Sequence, residues 1–462
     1  MSISASVPPS NTANKYGPNS GAGSRQHLSR QVVAARRFLV VFLVLVLYEG
    51  ALRKWMFPEY GNIIFVLKDL LLLASALLLI AQGTLNVGLF KGTALPTAIF
   101  AYVAWVFLET FNSVSPSFTL SLIGARGYIL YILVVPLCMA TFKDSDDVMK
   151  GLRMFFILAL PILVLGIAQF YSPVDALVNR YVRQDQYGPS TFGAMNYVRV
   201  TGTFSYITGM TTLLFATTML AIADLGGERW KTLGRGKLSG TVLLLALFVV
   251  PMTGSRWSAY ILVAVVPALW LFYRRGGLSL VALIRILFIG AVVAYALTQY
   301  GQDSVQAFQE RASGSGDADQ RYHNMFLGIL DSPASGTLFG YGVGTTHQAA
   351  ATIVPDVQPY SWIPDNFAED ELVRIAVESG LIGLVITLTM RLGLLFAAYR
   401  CALRATNMKQ LFIAGTAVSY LLAYLFSNSV FNSTAGAFYW FYVGLLAVVW
   451  REQRSERAAL GR

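Results

Sequence analysis

Residues 152–171 read LRMFFILALPILVLGIAQFY, twenty positions whose only charge, Arg153, stands at the edge. About 20 helical residues cross a hydrocarbon core about 30 Å thick, so this stretch predicts a membrane span. Comparable runs recur outward from it, near 38–52, 61–81, 94–111, 122–141, 203–223, 239–254, 256–273, 279–299, 372–397, 409–427 and 434–450. The chain of 462 residues is 55% hydrophobic and 13% charged, against about 25% charged in an ordinary soluble domain. A water-soluble core cannot absorb so many uncharged runs. The fold class is therefore all-α, a polytopic integral membrane protein with about twelve transmembrane helices. Disordered, fibrous and disulfide-scaffold classes are excluded by the same composition.

The net charge of +11 suggests a nucleic-acid partner until the basic residues are placed. With the N-terminus inside, 22 of the 35 Lys and Arg fall in cytoplasmic segments, 10 outside and 3 within spans. That bias sets orientation, with both termini in the cytoplasm. Because the excess is spread over seven cytoplasmic segments, no nucleic-acid groove is implied. Cys138 and Cys401 fall at cytoplasmic helix ends, and His27, His323 and His347 lack ligand-like spacing, so no metal site and no disulfide is expected.

The resulting organisation has a disordered cytoplasmic tail at 1–37 and helices one to nine over 38–299, with an outer loop at 172–202. One large outer loop follows at 300–371 between helices nine and ten, then helices ten to twelve over 372–450 and a cytoplasmic tail at 451–462. Both outer loops are too long to be mere turns. Nearly all outward-facing charge lies in them and at Arg256, where a membrane enzyme is expected to gather polar groups beside a cavity. The first carries Arg180, Arg183 and Arg199 with Tyr181, Tyr187 and Tyr197; the second carries Arg321, His323, His347, Asp365, Asn366, Glu369, Asp370 and Glu371.

Each signal has a bland reading and a sharp one. An outer-interface arginine such as Arg199 or Arg256 is commonly a snorkelling anchor. Two of them on short Gly-containing turns also suit a phosphate or pyrophosphate, for which the guanidinium fork is shaped. Arg53 reads as an anchor. Gly340-Tyr341-Gly342-Val343-Gly344 follows no strand and is better explained by a tight loop turn than by a nucleotide. Glu371, Arg374 and Glu378 share one helix face, as an ion-pair ladder would. His323 reads equally as a satisfied loop histidine or as a base near neutral pH.

Together these residues carry a resemblance. Arg199 in Arg-x-Thr-Gly-Thr-Phe, Thr253-Gly254-Ser255-Arg256 opening a span, Leu338 to Gly344 after Pro333, and Asp365-Asn366 ahead of Glu378-Ser379-Gly380-Leu381-Ile382-Gly383 occur in this order. The combination resembles the O-antigen ligase and O-antigen polymerase superfamily of bacterial inner-membrane glycosyltransferases, over roughly 195–390 in motifs and the whole chain in topology. The family's usual His-Asn is Asp365-Asn366 here. Tyr48 to Pro58 is also similar to polymerases of exopolysaccharide clusters.

The resemblance implies transfer of a glycan from an undecaprenyl-pyrophosphate donor to an acceptor sugar hydroxyl on the periplasmic face. Polymerase is favoured over ligase. It further implies pyrophosphate binding by Arg199, Arg256 and Arg321, and a base or positioner among Asp365, His323 and Glu378. No metal and no cofactor is called for, and a chain-length regulator is a possible partner beside membrane lipids. A permease would place ionisable groups at mid-membrane, where only Lys68, Asp69, Arg285 and Arg391 approach; the richest polar cluster lies in a loop instead.

Overall fold

The computed structural model describes residues 20–84, 90–182, 188–192, 197–226, 236–276, 280–313, 327–330, 337–354, 370–427 and 429–460. Helices account for most of them, and one isolated pairing, Thr191 with Val198, is the sole bridge among the described residues. In chain order the helices are α1 (Ser20–Ala51), α2 (Gly61–Ala81), α3 (Leu95–Thr110), α4 (Phe118–Ile129), α5 (Val134–Thr141), α6 (Ser145–Tyr171), α7 (Ile207–Gly226) and α8 (Lys237–Val249). They continue as α9 (Arg256–Arg274), α10 (Leu280–Tyr300), α11 (Gln302–Ser313), α12 (Ala350–Ile353), α13 (Glu371–Leu403), α14 (Met408–Ala423) and α15 (Ser433–Ala459).

Seven helical stretches are long and apolar enough to cross a membrane: Gln31–Met56, Pro58–Ala81, Phe118–Thr141, Ser145–Tyr171, Ile207–Leu225, Glu371–Leu403 and Ser433–Ala459. Five shorter apolar helices, Leu95–Thr110, Lys237–Val249, Val263–Arg274, Ile286–Tyr300 and Met408–Ala423, fall at the remaining five runs seen in the sequence. The molecule is an all-α polytopic membrane protein.

Burial sorts the helices into an inner and an outer set. The spanning windows of α7 and α15 are 94% and 89% buried, against 33% for the first two spans. The centre is accordingly α7 and α15, where Tyr420 stacks on Tyr442 (4.0 Å), Tyr424 (4.7 Å) and Phe215 (5.1 Å). Outer helices turn apolar side chains away from the bundle, among them Ile63, Leu77, Phe100, Phe107, Val263 and Val385. In water that surface would aggregate; in lipid it is the expected exterior.

Charges collect at the two ends. At one, Arg36 pairs with Asp147 at 3.0 Å, Lys409 with Asp146 at 2.5 Å, and Ser145 caps onto Glu452. Arg53, Lys54, Arg126, Arg199 and Arg374 stand at the other, with the starts of α2, α4, α9 and α13. Three further ion pairs are buried or part-buried: Lys68 with Glu49, Arg126 with Asp69, and Arg391 with Glu371. Each cation there has an acid, as a low dielectric demands.

Candidate functional site

The site end is organised by a break in a helix. α13 runs helically from Glu371, but Gly380 adopts φ 69° and ψ 179°, so the helix stops and restarts. A left-handed φ of this kind is tolerated by glycine because it has no Cβ. The break strips backbone groups of their partners inside an apolar bundle, where leaving them unpaired is costly. The segment 337–345 supplies those partners: Tyr341 N donates to Val377 O (2.9 Å), Gly342 N to Glu378 O (3.0 Å), Leu381 N to Thr337 O (3.1 Å) and Ile382 N to Leu338 O (3.3 Å).

Such a close approach explains the glycines. A Cβ on Gly340 would be driven into the Glu378 backbone, one on Gly344 into Leu120, and one on Gly124 of α4 into Gly344. The string 340–344 does lead into the turn that the sequence suggested, Thr345 N donating to Gly342 O (3.3 Å), but it is more than a surface turn. It is a buried segment wedged between α4 and the broken helix, with Val343 fully buried.

Glu378 fastens this wedge and is itself 0% exposed. Its Oε1 accepts from Thr346 N (2.8 Å) and Thr346 Oγ1 (2.5 Å), and its Oε2 from Tyr128 Oη (3.0 Å). Arg374 reaches the same threonine, donating from Nε to Oγ1 (2.9 Å) and from Nη2 to the carbonyl (2.7 Å), with its guanidinium 3.7 Å over the Phe431 ring. The expected ladder of Glu371, Arg374 and Glu378 does not form. Glu371 turns instead to Arg391, Ser429 and the Val430 amide.

His347 follows Thr346 directly, and its Nδ1 accepts from Ala349 N at 3.1 Å. Burial, then the positive charges of Arg374 and Arg126, hold its pKa down at about 4, below the usual 6.5. The imidazole is neutral at any physiological pH.

A second group of residues joins the two arginine motifs. Arg199 donates from Nε to Thr253 O (3.0 Å) and from Nη2 to Gly254 O (3.3 Å), while the Val200 amide bonds Met252 O (3.1 Å). Gly254 is left-handed (φ 57°), and the turn it ends leads through Ser255 into α9, whose first residue is Arg256. Behind Arg199, Gln169 Oε1 accepts from Thr201 N and Gly202 N. Lys54, in a single π-helical turn at Leu52–Met56, donates to Thr201 Oγ1 (2.8 Å) and Gly202 O (3.3 Å). Lys54 is only 1% exposed and stands over the Trp55 and Tyr181 rings. Such π turns recur at functional sites.

Of the residues singled out in the sequence, Arg199 and Glu378 are described with their partners, and they lie in the two different groups. Arg256 opens α9, its side chain outside the described residues; Arg321, His323 and Asp365 fall outside them altogether. Arg53 is no simple anchor: it donates to Ser205 Oγ (3.1 Å) and lies over the Phe65 ring. Tyr197 stacks on Phe170 (4.7 Å) and bonds Asp303, and Tyr181 is buried, so both serve the fold rather than standing open to a sugar. Sequence reasoning missed Arg126, Tyr128 and Thr346. The hint was the Lys68-Asp69 pair within a span, which called for a buried partner that Arg126 supplies. No group of acids, histidines and cysteines fit to hold a metal occurs among the described residues.

Residues 241–388 match the protein-family model described as O-antigen ligase. That stretch takes in the Thr253–Gly254 turn, Arg256, the wedge at 337–346 and the break at Gly380. No curated protein matches the chain. Members of the family are glycosyltransferase-like enzymes of O-antigen ligase or polymerase type. Over this stretch the chain is similar to the O-antigen ligase family, in keeping with the resemblance that its motif order carries.

Proposed function

We propose that the protein polymerises lipid-linked polysaccharide repeat units at the outer face of the bacterial inner membrane, O-antigen or exopolysaccharide in kind. The donor in this reading is an undecaprenyl-pyrophosphate-linked glycan. The observation that carries it is the convergence of Arg199 on the Thr253–Gly254 turn, one residue short of the helix that Arg256 opens. Two guanidinium groups on adjoining short turns at a membrane surface suit a pyrophosphate better than any neutral headgroup.

The step is a displacement. The acceptor hydroxyl oxygen bonds to the donor's anomeric carbon, the bond from that carbon to pyrophosphate breaks, and the pyrophosphate leaves with the electron pair. Arg199, Arg256 and Arg321 offset the charge that grows on the leaving group. The hydroxyl proton passes to Asp365 or His323. Glu378, enclosed and held by three hydrogen bonds, fits a positioning role: it holds Thr346 and so the wedge. No metal is needed in this scheme, and a chain-length regulator would act from outside the site.

Full-length protein in proteoliposomes with lipid-linked repeat unit should give a ladder of chain lengths with no other acceptor added. A product formed solely when lipid A-core is supplied would make the protein a ligase, and no transfer to either acceptor would overturn the reading. Asp365→Asn should abolish the ladder while donor binding persists, with His323→Ala milder; the reverse order would give the histidine the base role. Reporter fusions after Gly316 should be active in the periplasm alone.

A further inference from the structure

Lys54, Lys68 and Arg391 are the buried cations among the described residues. Lys68 pairs with Glu49 and Arg391 with Glu371. Lys54 is 1% exposed, yet no carboxylate among the described residues pairs with it. Its ammonium has the Thr201 hydroxyl at 2.8 Å, the Gly202 carbonyl at 3.3 Å, and the Trp55 and Tyr181 rings with centroids at 5.8 and 5.6 Å. Dipoles and rings offset only part of what a charge loses on leaving water. Packing alone would be served as well by an apolar side chain of similar length.

The acceptors show what the lysine holds. The segment 199–205 runs between the Arg199 joint and α7, and Val200 N fastens its first end to Met252 O. A turn follows, closed by Phe204 N on Thr201 O (3.0 Å), with Gly202 left-handed at φ 55°. Gln169 Oε1 takes the amides of Thr201 and Gly202, and its Nε2 donates to Gly202 O (3.1 Å). Lys54 donates to that same carbonyl, so two side chains from different helical segments fix its direction. Beyond the turn, Thr203 Oγ1 donates to Leu47 O, and Ser205 Oγ accepts from Arg53 Nη1 (3.1 Å). A Cβ on Gly50 would meet Thr203 O at 2.2 Å, so α1 lies directly against the segment. The π turn at Leu52–Met56 lets two neighbouring residues, Arg53 and Lys54, both reach it.

We propose that Lys54 is a positioning residue for Arg199. It pins the 201–204 turn, and through that turn the guanidinium that Thr253 and Gly254 grip from the other side. The inference rests on the glycan-transfer reading, in which Arg199 offsets charge on the leaving group. It also accounts for the missing acid. A lysine paired with a carboxylate would place negative charge two residues from Arg199, where it would oppose the charge that grows in the transition state. A lone ammonium holds the turn and adds no such charge.

The test compares full-length Lys54→Met with wild type in nanodiscs by melting, by hydrogen exchange and by transfer from lipid-linked repeat unit. Removing a buried charge that has no acid should leave the melting temperature unchanged or raise it. Exchange in peptides spanning 199–205 should nevertheless quicken, while peptides from α15 keep the wild-type rate. The kcat should fall by about 10²-fold, the scale of a misplacement of about 1 Å, with KM little changed because the lost interaction belongs to the transition state. In an Arg199→Lys background the same substitution should cost almost nothing further, because both changes act through one group. A variant that melts early or fails to fold makes Lys54 a structural residue and overturns the proposal. Unchanged exchange at 199–205, wild-type kcat, or a loss that multiplies with that of Arg199→Lys overturns it as well. A wild type that transfers no glycan, with the local exchange response intact, would sink the proposed function and leave Lys54 as the residue that holds the turn.

Discussion

Arg199 donates to the carbonyl oxygens of Thr253 and Gly254, so a side chain and a turn 54 residues apart in sequence form one joint. The turn it grips leads through Ser255 into the helix that Arg256 opens. The joint also gives the guanidinium a fixed plane, which a flexible anchor would lack.

Arg199→Lys should therefore harm more than charge counting suggests. One ammonium cannot reproduce a fork held on two carbonyls, so glycan transfer should fall by about 10²-fold while the melting temperature drops by only a few degrees. Arg256→Lys should lose most activity for the same reason. Arg274→Lys, at the far end of α9 over Trp270, should lose little in the same assay. Equal tolerance at all three positions would reduce Arg199 and Arg256 to interfacial anchors.

Glu378→Gln separates a base from a fastening. The amide keeps one acceptor oxygen but sets its NH2 against groups that now donate to the carboxylate. A mispaired buried group costs about 1–3 kcal/mol, so thermal denaturation should report destabilisation of that order. Partial activity should survive at low temperature. A variant of wild-type stability with no turnover at any temperature would return Glu378 to the chemistry.

Gly344→Ala and Gly124→Ala address the wedge. Each added methyl would meet backbone that cannot retreat, and Gly344 in addition has φ 92°. Overpacking of this kind costs about 1–3 kcal/mol and a positive φ adds to it. Both variants should express poorly or melt early. Gly240→Ala, with open space around it, should behave as wild type.

His347 yields a pH dependence whose sign can be worked out. Its folded pKa of about 4 lies below the unfolded value of 6.5. Between those values the unfolded chain binds a proton that the folded one refuses, so stability falls as pH drops from 6.5 towards 4 and levels off below. The melting temperature should fall across that window in the wild type and change less in His347→Gln. Any loss of activity near pH 6 must come from another group.

The spans were legible because hydrocarbon imposes its demand on every residue of a run, and 152–171 or 434–450 can be read without knowing their neighbours. What escaped depends on pairs. Glu378-Ser379-Gly380-Leu381 has the composition of an uninterrupted helix, and nothing local announces that 337–345 will pair with its backbone. Arg126 has nothing in its local sequence to mark it, and only Asp69 and Phe65 give it a place. The ladder of Glu371, Arg374 and Glu378 had the right spacing but lost to stronger partners, Arg391 above all, that lie on the same helix twenty residues on. Arg199 and Arg256 stood out in the sequence because each sits by a glycine turn, yet the bonding of Arg199 to the Thr253–Gly254 turn could be seen only in three dimensions.

The buried ammonium of Lys54 has a consequence for biosynthesis. Its acceptors, Thr201 and Gly202, lie 147 and 148 residues downstream. At about 5–20 residues per second, a ribosome delivers them roughly 7–30 s after the lysine itself. Through that interval the first span carries a cation with no partner, which hydrocarbon disfavours. The helix can enter the bilayer early, but its outer end gains these partners only when the segment ahead of α7 arrives.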